Sequence, residues 1–207
     1  IFLALAGGFM DAYSYLCRGK VFANAQTGNM LLLGIKLTEG DIKSAFKYIM
    51  PVLAFTFGIF ISDTVRYIIN KGFSDNKKLL HWRQYTLLIE ISLLLSVCFI
   101  QQEYNIVANS ITSMACGMQV ESFRKIHGNG IATTMCIGNL RSGTENLYSF
   151  FKEKSKTHLR KAGLYYFIIL CFIIGAVFGN ICIDIFKEKA MAICVLFLFA
   201  GFMMMFK

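Results

Sequence analysis

The hydrophobic pattern divides the chain into long apolar blocks separated by shorter polar stretches. Five blocks cover residues 1–16, 48–61, 85–100, 164–183 and 190–206, and residues 105–120 form a sixth candidate segment. Crossing a bilayer takes about 20 residues of helix, and several blocks meet that length once their flanks are included. One domain of 207 residues could not cover so many apolar helices with polar surface. The pattern predicts an all-α integral membrane protein with a single polytopic domain over residues 1–207.

Two further segments, residues 21–37 and 129–151, mix apolar residues with helix-breaking and polar ones. The first contains Asn24, Gln26, Thr27, Gly28 and Asn29, and the second contains Thr133, Thr134, Gly138, Asn139, Arg141 and Glu145. Non-helical backbone at membrane depth is tolerated only where it is buried in protein or lines a wet cavity. We therefore expect both segments to be broken or re-entrant elements.

The two polar segments also indicate an internal repeat. Asp11 precedes Gly28 by the same interval as Glu121 precedes Gly138, since 28 − 11 and 138 − 121 both equal 17. The Gly-Asn pair follows in each copy, at a constant shift of 110 residues. We expect a duplicated unit, with repeat 1 at about residues 1–101 and repeat 2 at about residues 105–207.

Charge is scarce and unevenly placed. Charged residues make up 16% of the chain, against about 25% in soluble domains. The net charge of +9 concentrates in residues 66–83 and 152–161. Nucleic-acid binding would need basic residues on one folded surface, whereas these lie in short connectors between candidate spans. Basic connectors mark the cytoplasmic side of a membrane, so we expect both stretches there and no nucleic-acid partner.

That placement decides the predicted topology. Both basic stretches share one side only if residues 129–151 do not cross the membrane. If residues 21–37 also fail to cross, each repeat has three spans, and an odd number inverts the second repeat relative to the first. The prediction is about six transmembrane helices from two three-helix inverted repeats, with both termini cytoplasmic. The alternative is eight spans in parallel repeats, with one basic stretch outside. Because the chain begins with Ile1 inside an apolar block, we expect its first helix to be truncated.

Three acidic residues are candidates for chemistry at membrane depth. Asp11 lies within the first block, where a charge usually faces a cavity or a partner, so it is either an ion or proton site or a brace for the first polar segment. Glu121 lies near Arg124, and an interfacial ion pair is the competing interpretation. Glu90 lies mid-block and must find a partner, bind a proton or face water.

The two Gly-Asn pairs, Gly28-Asn29 and Gly138-Asn139, are the most specific motif of the two polar segments. Glycine allows close backbone approach, and asparagine supplies both donors and an acceptor. A helix that starts there would point free N–H groups into a cavity, which suits an anion or polar solute. These residues either line a solute pathway or only satisfy the broken backbone. The candidate pathway residues are Asp11, Asn24, Thr27, Gly28, Asn29, Glu90, Glu121, Thr133, Thr134, Gly138, Asn139 and Arg141.

The seven cysteines form no CxxC pair and indicate small buried apolar residues rather than disulfides or a metal site. No motif for a hydrolase, metalloprotease or nucleotide-binding loop occurs, so no enzyme activity, metal or cofactor is predicted.

The motifs resemble those of the bacterial YoaK-like membrane proteins. The resemblance rests on residues 8–12 (GFMDA), 21–24 (VFAN) and 27–29 (TGN) with Gly34, and on residues 117–119 (GMQ), Arg124, Thr133-Thr134 and 138–140 (GNL). Ile137 departs from the pattern, since the family tends to place Thr there. The resemblance covers nearly the whole chain and implies a bacterial inner-membrane location. It supplies no substrate.

Two functions remain open on the sequence. The first is a transporter or channel for a small polar solute or ion, with its pathway at the two Gly-Asn segments. The second is a non-transporting scaffold, sensor or accessory subunit whose polar centre is structural. The lipid bilayer is the expected partner in either case, and a homo-oligomer is compatible with both.

Overall fold

The computed structural model describes residues 1–72, 80–124, 130 and 132–206. These residues form helices joined by short connections. Those residues form eight α-helices: α1 (Phe2–Cys17), α2 (Gln26–Thr38), α3 (Ile42–Gly72), α4 (Trp82–Val97), α5 (Asn105–Ser122), α6 (Cys136–Glu153), α7 (Lys156–Phe186) and α8 (Met191–Met203). Short 3-10 turns precede α5 and connect α7 to α8. The middle of the first basic stretch and the beginning of the second polar segment lie outside the described residues.

Each apolar block coincides with one helix, which confirms the all-α class. Two stretches, Ile42–Lys71 and Lys156–Phe206, are long and apolar enough to cross a membrane. In the most apolar part of each stretch, 22% and 33% of the residues are buried, respectively. A core helix of a soluble domain is mostly buried. Their length, composition and exposed apolar surface are those of membrane helices.

Helices α1 and α5 run in opposite directions. At the end of α1, the Arg18 guanidinium donates from Nη1 to Oδ1 of Asn105 at the start of α5, at 3.2 Å. At the opposite end, Nε2 of Gln119 donates to the carbonyl oxygen of Leu3 at 3.0 Å. These two contacts define an Arg18 end and a Leu3 end of the molecule.

Helices α3 and α4 also connect the two ends. Lys47, in the second turn of α3, lies beside Gly19 at the Arg18 end. Farther along α3, the hydroxyl of Ser62 hydrogen-bonds that of Ser122, the last residue of α5, at 2.8 Å. The return helix α4 ends at Val97, whose carbonyl oxygen accepts from Arg18 Nη2 at 3.1 Å.

Helices α7 and α8 complete the same arrangement. Tyr165, in the first half of α7, packs with Ala4 near the start of α1. The Tyr13 hydroxyl donates to the carbonyl oxygen of Glu188 at 2.9 Å, which places the α7–α8 turn at the Arg18 end. Near the end of α8, Gly201 lies against Leu3. Six helices, α1, α3, α4, α5, α7 and α8, therefore extend between the two ends.

Helices α2 and α6 behave differently, because the connection before each of them packs along the side of α1. After α1 stops, the chain runs back along it, so that the backbone N–H of Asn24 donates to Oδ1 of Asp11 at 2.7 Å. Helix α2 then leads to the start of α3 at the Arg18 end. The connection after α5 brings Thr134 against Gly7, and α6 then leads to the start of α7 at the Leu3 end.

Four glycines set the register of the closest helix contacts. A Cβ added at Gly8 would overlap the carbonyl oxygen of Phe172, and one at Gly175 would overlap that of Leu5. The α5–α3 contact has the same design, because Gly117 and Gly58 face the carbonyl oxygens of Phe55 and Met114, respectively. Only glycine permits such close backbone approach.

The close-packed glycines of α1 and α5 are separated by a different interval from the acidic residues of the two polar motifs. Gly8 and Gly117 occupy matching positions, and 117 − 8 gives a shift of 109. At that shift Asp11 corresponds to Val120, one residue before Glu121. The shift becomes 110 only after the helix ends, at Asn29 and Asn139. Gly8 therefore precedes Asn29 by 21 residues, whereas Gly117 precedes Asn139 by 22, since 29 − 8 is 21 and 139 − 117 is 22.

Candidate functional site

The two connections that precede α2 and α6 meet at Gly7, in the first half of α1 and one helical turn after Leu3. The Asn24 side chain donates from Nδ2 to the carbonyl oxygen of Gly7 at 3.1 Å. A Cβ added at Gly7 would lie 3.0 Å from Cγ2 of Thr134 and 3.2 Å from the carbonyl oxygen of Thr133. We call Gly7, Asn24, Gln119, Thr133 and Thr134 the Gly7 site.

Asn29 and Asn139 hold the shape of the two connections. Nδ2 of Asn29 donates to the carbonyl oxygen of Phe22 at 2.7 Å, and Oδ1 accepts from the Phe22 N–H at 3.0 Å. Asn139 makes the same pair of bonds with Ala132, at 2.6 Å and 3.2 Å. Both asparagines are buried and their amides are occupied. Their geometry fits the structural role that was one of the two sequence-based interpretations.

Asp11 braces the first connection. Its carboxylate accepts from the N–H of Asn24 and faces the neighbouring amides of Ala23 and Ala25. These amides precede α2, whose N-cap residue provides no side-chain hydrogen bond. A carboxylate is well placed beside the positive end of a helix. Asp11 therefore occupies the N–H groups that could otherwise have received an anion.

Three oxygen atoms of the Gly7 site lack a hydrogen-bond partner among the described residues: Oδ1 of Asn24, Oε1 of Gln119 and Oγ1 of Thr134. All three side chains are at least nine-tenths buried. Gln119 uses its Nε2 for the Leu3 carbonyl and for Oγ1 of Thr133 at 3.2 Å. Buried polar groups in native proteins are almost always paired, so unpaired oxygens indicate a missing water, ion or ligand.

Glu90 is a buried acidic residue of α4, outside the Gly7 site as defined above. It is fully buried on α4, and neither carboxylate oxygen has a partner among the described residues. The Cys116 thiol of α5 interacts electrostatically with the carboxyl groups of Asp11 and Glu90, and it contacts the Asn24 side chain. The Cys116 thiol is 3.6 Å from the sulfur of Met10.

The remaining candidate residues lie away from the centre. Thr27, Gly138 and Arg141 are exposed on the outer faces of α2 and α6. Gly28 lies against the Phe22 ring, where a Cβ would be 2.7 Å from the ring edge, whereas nothing lies within 4 Å of a Cβ added at Gly138. Glu121 faces Arg124 at 3.9 Å near the Leu3 end. The shared Gly-Asn motif thus combines two similar asparagines with two glycines in different surroundings.

Two residues of this region were absent from the sequence-based candidates. Gln119 stands in an apolar helix, and its amide could have signalled a buried contact. Arg18 is fully buried and donates to the Tyr13 hydroxyl at 2.9 Å as well as to Val97 and Asn105. Its position at a helix end resembles that of an ordinary interfacial arginine, so the sequence offered no signal for its burial.

Comparison with known proteins places the chain in a family. The model of a family described as "Protein of unknown function (DUF1275)" matches residues 1–204. The chain is 27% identical to "UPF0700 transmembrane protein YoaK" of Bacillus subtilis (strain 168) over 184 residues, which cover 84% of this chain and 78% of that protein. No solved structure matches the chain. Since the family model spans nearly the whole sequence, this protein belongs to the DUF1275 family, as its motifs predicted.

Proposed function

We propose that this protein is a transporter or channel of the bacterial cytoplasmic membrane, and that a small polar solute or ion passes through the Gly7 site. The observation that carries the proposal is the meeting of two non-helical connections beside Gly7, with buried oxygens left unpaired. Non-helical backbone at membrane depth is tolerated where it is buried in protein or lines a wet cavity, and the unpaired oxygens favour the second setting. Discontinuous elements that meet at mid-depth are a recurrent design of transporter sites.

The proposed topology has six membrane crossings and two re-entrant elements. Six helices extend between the Arg18 and Leu3 ends, whereas α2 and α6 each return to the end from which their connection entered. The antiparallel arrangement of α1 and α5 supports an inverted repeat. The YoaK relative is named a transmembrane protein, which supports membrane insertion of this chain.

The orientation follows from charge. Arg66, Arg124 and Arg160 belong to helix termini that meet at the Leu3 end, because α3 and α5 finish there and α7 begins there. The positive-inside rule makes this end cytoplasmic. Both ends of the described chain lie there too, since α1 begins and α8 finishes beside Leu3.

Reconstitution tests the function. The purified protein in proteoliposomes should give capacitive currents on a solid-supported membrane after jumps in the concentration of a permeant ion. Light scattering would detect an uncharged solute. A panel of alkali, ammonium and halide salts and small polyols covers the chemical classes. Thr134→Val should reduce flux at least tenfold, because it removes an unpaired hydroxyl and keeps the side-chain shape. Thr112→Val, which changes a buried hydroxyl bonded to its own helix, serves as the matched control.

A folded protein that moves none of these solutes would contradict the proposal. If the variants then lower only the unfolding temperature, the non-transporting scaffold, sensor or accessory subunit becomes the supported function.

A further inference from the structure

We propose that the Gly7 site binds a small monovalent cation through neutral side-chain oxygens. The inference rests on the proposed function for its location, and it adds the chemical class of the solute. Its starting point is that the unpaired atoms of the site are all oxygens: Asn24 Oδ1, Gln119 Oε1 and Thr134 Oγ1.

The orientation of the two amides is determined by their partners. Nδ2 of Asn24 donates to the Gly7 carbonyl, and Nε2 of Gln119 donates to the Leu3 carbonyl. Rotating either amide by 180° would set an oxygen against a carbonyl oxygen, so the free atoms must be the acceptors. The Thr134 hydroxyl can also turn a lone pair towards a ligand.

Donors for an anion are already occupied. The Asp11 carboxylate faces the backbone amides that precede α2. A second negative charge at that position would meet repulsion from Asp11 as well as the loss of its own hydration. The local chemistry therefore favours a positive charge and disfavours an anion.

The number and type of ligands favour a monovalent ion. Carbonyl-type and hydroxyl oxygens are hard ligands that suit hard cations. Divalent cations are usually held by several carboxylates, whereas Asp11 is the one carboxylate among the described residues that contacts the connections at this site. Among the described residues no group of three His, Cys, Asp or Glu side chains is placed to hold a metal ion, which argues against a transition-metal site.

Thermal unfolding in detergent tests cation binding independently of flux. The far-ultraviolet circular dichroism of the purified protein would be followed in LiCl, NaCl, KCl and NH4Cl, against choline chloride at the same chloride concentration. A cation that binds only the folded protein should raise Tm by roughly 5–10 °C at 100 times its Kd. Replacing chloride by gluconate should leave that shift unchanged.

Three variants sharpen the test. Thr134→Val should lose most of the cation-dependent shift while keeping the Tm measured in choline chloride, and Thr134→Ser should restore the shift. Ser113→Ala is the matched control, because Ser113 Oγ is also buried and unpaired on α5 but lies outside the Gly7 site. Its shift should equal that of the native protein.

Equal Tm values in all cations, or a full shift in Thr134→Val, would overturn the inference. A shift that follows the anion would overturn it as well. Flux measurements distinguish the failure of this inference from the failure of the proposed function. Cation binding without any flux would contradict the transport function alone. Anion flux without cation binding would contradict the cation site alone.

Discussion

Asn29 binds both backbone polar groups of Phe22, seven residues earlier, and so closes the connection between α1 and α2. Asn139 repeats this arrangement with Ala132 before α6. The two most conspicuous residues of the repeated motif therefore form hydrogen bonds within the protein. The atoms left for a ligand belong to Asn24, Gln119 and Thr134.

Replacing Asn29 or Asn139 by alanine should destabilise the protein. Each change leaves a buried backbone N–H and C=O without a partner, at about 1–3 kcal/mol for each group. We expect a Tm several degrees lower than that of the native protein, measured by circular dichroism in detergent. Asn180→Ala, at an exposed position of α7, should leave Tm unchanged. Unchanged Tm in both of the first two variants would show that the asparagines do not act as structural clamps.

Alanine at Gly8 or Gly175 should be among the most damaging single substitutions. The new methyl group would overlap a backbone carbonyl oxygen of the facing helix, so α1 and α7 would have to separate. Overpacking of this kind costs about 1–3 kcal/mol or more. Gly163→Ala, also on α7 but with nothing within 4 Å, should be neutral or stabilising by up to about 1 kcal/mol. Equal unfolding temperatures for Gly175→Ala and Gly163→Ala would contradict the observed packing.

Arg18→Met should loosen the Arg18 end. It removes the donors to the Tyr13 hydroxyl and to the Asn105 side chain, and it leaves the Val97 carbonyl with the Ile100 N–H alone. Each lost hydrogen bond to a charged donor costs about 1.5–3 kcal/mol. Arg18→Lys should recover only part of the loss, because an ammonium cannot reproduce the fork of the guanidinium. Lys43→Met, at an exposed position of α3, provides the control. Tm would be compared for all three variants, and full recovery by lysine would exclude a role for the fork.

Glu90→Leu should raise stability. The carboxyl group has no partner among the described residues, and burying an unpaired polar group costs about 1–3 kcal/mol. Gln84→Leu on the same helix should lower stability, because Gln84 Oε1 accepts from the N–H of His81 in the N-terminal cap. If Glu90→Leu instead lowers Tm, the carboxyl group has a stabilising partner such as a bound water or ion.

Labelling of single cysteines distinguishes six crossings from eight. Lys20→Cys and Glu39→Cys flank α2, and in the proposed topology both react with an impermeant maleimide added outside the cell. Arg124→Cys and Lys154→Cys flank α6 and should react only after permeabilisation. The native chain supplies the baseline, since six of its seven cysteines are buried. Opposite accessibility of the two residues that flank α2 would support eight spans.

Much of the fold was predictable because apolar blocks must be buried or face lipid. The blocks at residues 105–120 and 164–183 became α5 and α7, and the polar residues of segments 21–37 and 129–151 mark the connections that precede α2 and α6. Charge scarcity excluded an ordinary soluble domain. The spacing of the Gly-Asn pairs also anticipated the matching roles of Asn29 and Asn139.

The sequence by itself thus determined the helical class, the family and the positions of the broken segments, since hydropathy and glycine placement act locally along the chain. Only the tertiary structure decided that Asp11 braces the first connection, because its bond to the Asn24 N–H depends on the chain turning back along α1 after the helix ends. It also decided which polar atoms remain free at the Gly7 site. Hydrogen-bond satisfaction depends on neighbours that are distant in sequence, as Leu3 is from Gln119.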